Sequence, residues 1–371
     1  MNDYQTRVTR LQAAMQAQGV ALTLLAGTDQ MRYLSGWREG GHERFVGLFV
    51  PAQGETAFVV PAMNAPQARL TPLGTKQVHG WADENGWHSD AQALFAQYGI
   101  GAGAQVLVDD ELLSVHLLGL QSLFPNVRFA PAGDLMATLR QVKTAGEIAS
   151  LDEAARLIDE VFEEVLLELR EGVTELEISD CVLAAIKRKG SAPSFSPLIC
   201  FGANCALPHH HTGNARLQIG DTVIIDIGCL SDNYASDITR TVSFGTPRDP
   251  DADKVYEIVH RAHWAARNHA KPGVSCESVD GAARSIITAE GYGEAFVHRT
   301  GHGIGLSTHE PPYIVSGNGL ALEEGMCFSV EPGIYLSGRF GVRIENIVTV
   351  MAEGVRSVNV DASATLRVLN P

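Results

Sequence analysis

No stretch of this chain approaches the roughly 18 consecutive apolar residues that a membrane-spanning helix needs, so no helical membrane anchor is expected. Its six cysteines, Cys181, Cys200, Cys205, Cys229, Cys276 and Cys327, show no paired CxxC spacing. That argues against a thiolate zinc site and a disulfide scaffold, and reduced, scattered thiols are expected. Basic residues are also scarce, with 28 Lys plus Arg against 43 Asp plus Glu, a net charge of −15. Such a charge repels a phosphate backbone, so no nucleic-acid partner is expected. The largest basic run, Lys187-Arg188-Lys189, reads as the charged last turn of a helix. The opening residues Met1 to Gln5 are polar and no apolar segment follows, so no secretory leader is expected and a cytoplasmic location is the default.

What is present suits a folded chain of about two units: 371 residues, of which 45% are hydrophobic and 19% charged. Val8, Leu11, Ala14 and Met15 recur at a helical period between Tyr4 and Gln18, and Gly19 ends the pattern. Ala21 to Leu25 reads as a strand. Val46 to Val50 and Thr56 to Val60 flank a Pro51 to Glu55 turn, as in a hairpin. A strand at Gln105 to Val108 and a helix at Leu112 to Leu123 complete a mixed unit. The expected boundaries are 1–133 for this first unit, 134–144 for a linker and 145–371 for the second.

In the second unit, Thr144 with Glu147 and Thr174 with Glu177 each fit a capping box opening an amphipathic helix. A hairpin is expected from Asp221 to Gly228 and Asp237 to Gly245. Two more helices, at Ala252 to His269 and Glu277 to Glu290, precede strands at Cys327 to Glu331 and Arg343 to Val350. The order helix, helix, strands thus occurs twice. Two related halves facing each other make a natural seam for a site.

Five residues of this unit have donor chemistry in unusual surroundings. Asp226 interrupts the apolar run Thr222 to Gly228, where an ionised carboxylate without a cation carries a severe desolvation penalty. Asp237 opens the returning strand, and Glu331 and Glu345 stand in Val330-Glu331-Pro332 and Ile344-Glu345-Asn346. Strand period two puts Arg343 and Glu345 on one face, so an ion pair within the sheet is the alternative for that pair. It does not account for all four carboxylates. His302 lies in Gly301-His302-Gly303-Ile304-Gly305, where glycines permit close backbone approach. Four carboxylates and one imidazole suit two divalent ions sharing bridging carboxylates better than a thiolate zinc site. Such ions can deprotonate a water and stabilise an oxyanion, which is hydrolysis chemistry. His298 and His309 flank the glycine-rich turn, and His209 begins a run of three histidines. As neutral imidazoles they suit contacts with a substrate carbonyl or leaving group, the alternatives being adventitious metal binding by the histidine run for His209 and ordinary surface or packing histidines for His298 and His309.

In this order and context, Asp226, Asp237, His302, Glu331 and Glu345 resemble the metal ligands of the pita-bread metallopeptidases, the superfamily of methionine aminopeptidase, aminopeptidase P and prolidase. Ala206-Leu207-Pro208-His209, Ser236-Asp237-Ile238-Thr239-Arg240-Thr241 and Val330-Glu331-Pro332-Gly333-Ile334-Tyr335 carry the likeness along with the His302 string. The resemblance implies an α/β (α+β) chain with an N-terminal creatinase-like domain and a pseudo-symmetric pita-bread catalytic domain. Methionine aminopeptidases generally lack the first domain, which points to the prolidase and aminopeptidase P branch. It also implies that Asp226 chelates one ion, Asp237 and Glu345 bridge, and His302 with Glu331 complete the other. His209 and His309 match substrate and transition-state histidines, His298 a proline-side histidine, Tyr335 a pocket tyrosine, and Arg343 a support for the Glu345 strand and the substrate region. Manganese is the implied metal, with cobalt or zinc also able to occupy such sites, and a homodimer is implied.

The expected reaction is hydrolysis of the X-Pro bond in dipeptides, with small proline-containing peptides as partners. Glu331 would shuttle a proton to the departing proline nitrogen. The alternative is aminopeptidase P activity on longer X-Pro-Y peptides, and a more distant one is a non-catalytic binding module. The segment Trp37 to Arg44 offers Arg38, His42 and Arg44 as candidates to clamp a free proline carboxylate, against the simpler reading of an exposed polar loop.

Overall fold

A computed structural model describes residues 3–371; Met1 and Asn2 lie outside the described residues. The chain divides into two compact units, Met1–Arg140 and Gln141–Pro371.

The first unit is built on a six-stranded mixed sheet in the order Gln77–Trp81, Ala57–Pro61, Gly47–Pro51, Val20–Leu25, Gln105–Val108, Arg128–Pro131. The expected hairpin is there, with Leu48 opposite Phe58. Leu22, Leu24, Phe49, Phe95 and Val106 form its buried core. The helix expected from Tyr4 runs over Asp3–Gln18 and buries Val8, Leu11 and Met15. Most of the stretch 134–144, expected as a linker, is instead helical. Gly133–Arg140 buries Leu135, Met136 and Leu139, and the Tyr33 hydroxyl donates to the Leu139 carbonyl at 2.8 Å. That apolar spacing, three and four residues apart, belongs to a packed helix.

The second unit repeats one arrangement. Helices Ala145–Leu166 and Glu175–Arg188 pack on a four-stranded sheet through Ile158, Val161, Ile178, Val182, Ile225 and Ile238. Helices Ala252–His269 and Cys276–Ala289 pack on a five-stranded sheet through Val255, Val259, Val279, Ala283, Phe328 and Val348. Both predicted capping boxes form: the Thr144 and Thr174 hydroxyls accept from the backbone N–H of Glu147 and Glu177, whose carboxylates accept in return. In the first sheet, Asp221–Ile227 and Ile238–Phe244 pair antiparallel with Asp226 opposite Thr239. The second sheet runs Glu310–Ile314, Gly301–Gly303, Cys327–Val330, Asn346–Met351, Gly354–Ser357.

The strand expected over Arg343 to Val350 is two strands. Phe340–Arg343 pairs with Gly333–Leu336, and Asn346–Met351 pairs with Cys327–Val330, leaving Ile344 and Glu345 between them. The Glu345 N–H leaves both ladders and donates to the Thr239 carbonyl at 3.0 Å. This crossing stitches the second sheet to the hairpin of the first.

Candidate active site

Alternation along the Asp221–Ile227 and Ile238–Phe244 hairpin decides which side chains meet. Val223, Ile225, Ile227, Ile238 and Val242 enter the helix-covered core. Asp226 and its cross-strand partner Thr239 therefore share the other face, where Asp237, two residues before Thr239, joins them. Arg343, from the break-flanking strand, reaches the same face. Its Nη2 lies 2.5 Å from Asp226 Oδ2, and its Nε donates to the Thr239 hydroxyl at 3.0 Å. That hydroxyl donates in turn to Glu345 Oε2 at 2.7 Å. The alternative of an Arg343–Glu345 ion pair does not form: Arg343 pairs with Asp226 instead, and Thr239 stands between Arg343 and Glu345.

His302 needs its two glycines. A Cβ on Gly301 would lie 1.8 Å from the Ser329 carbonyl oxygen and one on Gly303 2.4 Å from the Pro311 carbonyl oxygen. The His302 N–H donates to the Ser329 hydroxyl at 2.9 Å, and that hydroxyl donates to Glu331 Oε1 at 3.2 Å. His302 Nδ1 lies 3.0 Å from the Gly303 carbonyl, a partner that fixes the proton on Nδ1. Nε2, left as the lone-pair nitrogen, lies 3.4 Å from Glu331 Oε1 and 3.7 Å from Asp237 Oδ2.

Three overlapping groups result: Asp226, Asp237 and Glu345; His302, Glu331 and Glu345; Asp237, His302 and His309. Within each group the donor atoms lie inside 4.8 Å of one another. Asp226 Oδ1, Asp237 Oδ1 and Glu345 Oε1 are buried without a hydrogen-bond partner. Burial, reinforced by the neighbouring carboxylates, pushes Asp237 and Glu345 well above the usual carboxylate range. Glu331 is pushed to about 7, chiefly by burial. Burial with the nearby His309 holds His302 down at about 3, so its ring is neutral. Bare buried oxygens, crowded like charges and a neutral imidazole form a donor set that a divalent cation fits.

These residues line a cavity of about 550 Å³ together with His209, His298, His309 and Arg343. Apolar wall comes from Phe195, Leu198 and Pro208. The His309 ring stands edge-on to His302, with centroids 4.1 Å apart. Tyr335 does not line the cavity; its hydroxyl accepts from Arg343 Nη1 at 3.1 Å and lies 2.7 Å from His298 Nε2. His298 Nδ1 lies 2.7 Å from the Arg299 carbonyl. Both ring nitrogens of His298 are thus engaged, and burial lowers its pKa to about 4.

Of the three consecutive histidines, only His209 lines this cavity; His210 Nε2 bonds to buried Glu175 at 2.8 Å, and His211 is exposed. The supports behind the site leave little trace in the sequence. Thr239 and Ser329 carry no pattern, because a hydroxyl in a strand is common. Asp280 is 1% exposed and accepts from the Thr300 N–H and hydroxyl and from Arg284, which also donates to the Phe296 and His298 carbonyls. In the first unit, Arg38, His42 and Arg44 share a separate cavity of about 200 Å³. Arg38 lies 3.3 Å from Asp29, and Arg44 is bidentate to Asp83 at 3.0 Å, so the Arg44 fork is engaged within its own unit.

Comparison with known proteins agrees with this architecture. Residues 7–142 match the creatinase/prolidase N-terminal domain, and residues 149–352 match metallopeptidase family M24. A probable dipeptidase PepE of Mycobacterium tuberculosis strain H37Rv is 38% identical over 360 residues, covering 96% of this chain and 94% of that one. An Xaa-Pro dipeptidase of Lactobacillus helveticus is 36% identical over 352 residues, covering 94% and 95%. The crystal structure of a recombinant prolidase from Thermococcus sibiricus superposes with a TM-score of 0.94 at 34% identity, covering all of both chains. With both domains matched and its carboxylates and His302 gathered in one cavity, the chain belongs to metallopeptidase family M24, the pita-bread metallopeptidases, in the branch that carries a creatinase/prolidase N-terminal domain.

Proposed function

We propose that this metallopeptidase hydrolyses the X-Pro bond of dipeptides, using two divalent ions held by Asp226, Asp237, His302, Glu331 and Glu345. The observation that carries the reading is the set of three buried, unpartnered carboxylate oxygens facing one cavity. Four carboxylates against the Arg343 and Arg299 guanidiniums of the same cavity leave an excess of negative charge that divalent cations offset. Asp237 and Glu345, each in two of the three donor groups, suit bridging positions. Oxygen-rich ligation with a single imidazole favours manganese, with cobalt or zinc as substitutes. When bound, the ions would activate a water and stabilise the oxyanion formed at the scissile carbonyl.

The chain's own residues supply the rest. Glu331 would take the proton released by the attacking water and pass it to the departing proline nitrogen. His309 stands beside the ligand cluster to donate to the oxyanion, and His209 contacts the substrate from its loop. With both nitrogens engaged, His298 offers the proline ring carbon surface rather than a hydrogen bond. Arg343 and Tyr335 hold that ring in place. The choice of dipeptides is supported by relatives that are named dipeptidases.

A second reading, release of the first residue from X-Pro-Y peptides, is favoured by one feature. A groove of about 510 Å³ lined by Leu207, His211 and Val297 shares Pro208, His209 and His298 with the cavity, giving a longer peptide somewhere to run. Comparing kcat/KM for Ala-Pro and Met-Pro with their X-Pro-Ala extensions on one manganese-loaded sample tests the assignment. Dipeptides are expected to be preferred, and a strong tripeptide preference overturns the dipeptidase reading. We take the enzyme to be a cytoplasmic homodimer: all six cysteines are free, no helix among the described residues is long and apolar enough to cross a membrane, and the family resemblance implies a pair. A monomer in sedimentation equilibrium at micromolar concentration removes the dimer.

A further inference from the structure

Glu175 is the first residue of the Glu175–Arg188 helix and is 0% exposed, yet it lies outside the ligand cluster. Its two oxygens have four partners, all from the segment 201–213. Oε1 accepts from the Phe201 N–H at 3.0 Å and from Asn204 Nδ2 at 2.8 Å. Oε2 accepts from the Gly213 N–H at 2.9 Å and lies 2.8 Å from His210 Nε2. The carboxylate therefore grips both ends and two interior points of one loop. The backbone adds to this, with the Glu175 N–H donating to the Ala215 carbonyl and the Leu176 N–H to the Gly213 carbonyl.

Apolar packing holds the loop as far as Cys205 and Ala206, which are buried, but does not extend to the tip beyond them. Regular structure in the loop stops at the short turn Gly202–Ala206, Leu207 is 53% exposed, and His209 is exposed. A tip with so little packing is ordered by its polar pins. The helix start is arranged to free Glu175 for this task, because Thr174 and Glu177 already satisfy the end in a capping box. The helix dipole favours an anion at that place. His209, one residue from the gripped His210, enters the catalytic cavity.

We propose that Glu175 is a positioning residue for His209: its carboxylate sets the loop so that His209 meets the substrate. The inference rests on the peptidase reading for what His209 meets, but the ordering of the loop does not.

A thermodynamic cycle tests it. Glu175→Gln keeps the shape but places an amide N–H₂ where either His210 and the Gly213 N–H or Asn204 and the Phe201 N–H need an acceptor. Wild type, E175Q, H209A and the double variant are assayed on Ala-Pro after manganese loading, with bound metal measured beside each rate. E175Q should lower kcat/KM about tenfold, in whichever of kcat and KM His209→Ala changes, with metal content unchanged. In the H209A background it should add less than about a twofold loss, because residues acting through one another are not additive. Asn204→Ala, which removes a single pin, should give a smaller loss with the same non-additivity, and it replaces E175Q if that variant does not fold. Hydrogen exchange without substrate should show the 201–213 amides losing protection in E175Q. Losses that multiply in the double variant, manganese lost in step with activity, or unchanged exchange in the loop overturns the proposal. If wild type fails to cleave X-Pro bonds, the peptidase assignment falls, and the exchange measurement decides the loop ordering separately.

Discussion

The guanidinium of Arg343 contacts Asp226 Oδ2 at 2.5 Å and the Tyr335 hydroxyl at 3.1 Å, so one side chain joins the ligand cluster to the support of His298. Arg343 is 4% exposed, and its Nε also reaches Thr239, which bonds Glu345. A disturbance of this guanidinium therefore reaches the proposed metal ligands and the His298 wall of the cavity together.

Tyr335→Phe separates the two. It deletes the hydroxyl between Arg343 and His298 and leaves every carboxylate in place. Because one buried hydrogen-bonding group is lost, stability should fall by about 1 kcal/mol. kcat/KM should fall about tenfold at unchanged metal content, since the His298 ring is then held only through Nδ1. Steady-state kinetics with metal analysis checks this, and unchanged kinetics would show that the hydroxyl does not position His298.

Without a cation, the pH dependence of stability has a fixed sign. Burial pushes Glu331 up to about 7 in the folded chain from the ordinary carboxylate value of 4.5, and raises Asp237 and Glu345 as well. The folded state then binds more protons than the unfolded state between these values, so stability falls as pH rises through that window. Metal binding competes with the same protons, so it too strengthens as pH rises. The Tm difference between manganese-loaded and chelator-treated protein should therefore widen from pH 5 to pH 8. Thermal scans of both forms check it, and a gap that narrows over this range contradicts the repulsion within the cluster.

Lys143 and Glu310 form a pair 2.9 Å apart with side chains 2% and 5% exposed, next to His309 in sequence. Lys143→Met removes one partner of a buried pair and should destabilise by about 3 kcal/mol or more. Adding Glu310→Gln should recover much of that loss, because the buried charge left behind is then gone. Denaturant midpoints of the single and double variants check it, and additive losses refute it.

Local signals carried much of the helical reading. Thr144 with Glu147 announces a helix start because both capping bonds span three residues, and the Ala252–His269 period needs no distant partner. Asp226, Asp237 and His302 stood out because a charge in an apolar run or an imidazole among glycines demands an explanation. The interruption at Glu345 was hidden, since the bond that creates it goes to Thr239, 106 residues away. The strand Gln77–Trp81 was missed because an edge position leaves it half-buried with no clean alternation. Asp280 and Glu175 gave no sign for a similar reason: an acid on a helix reads as a solvated face until the fold closes over it.

Asp280→Asn tests one of these hidden supports. Burial works against the Asp280 charge, but Arg284 and Thr300 outweigh it and keep the carboxyl below its usual pKa. Without the charge, Arg284 loses its ion-pair partner while still bonded to the Phe296 and His298 carbonyls. Stability should fall by about 2 kcal/mol and kcat/KM several-fold. Thermal melts beside kinetics check it, and a variant matching wild type in both shows that the pair does not support the His298 segment.

The central claim is that Asp226, Asp237, His302, Glu331 and Glu345 hold the ions on which hydrolysis depends. The direct test titrates manganese into chelator-treated protein while bound metal and Ala-Pro hydrolysis are followed together, with Asp237→Asn alongside. Activity should be absent without metal and saturate near two equivalents. Asp237→Asn should lose bound metal and at least about 100-fold in turnover. Full turnover by strictly metal-free protein would contradict the account.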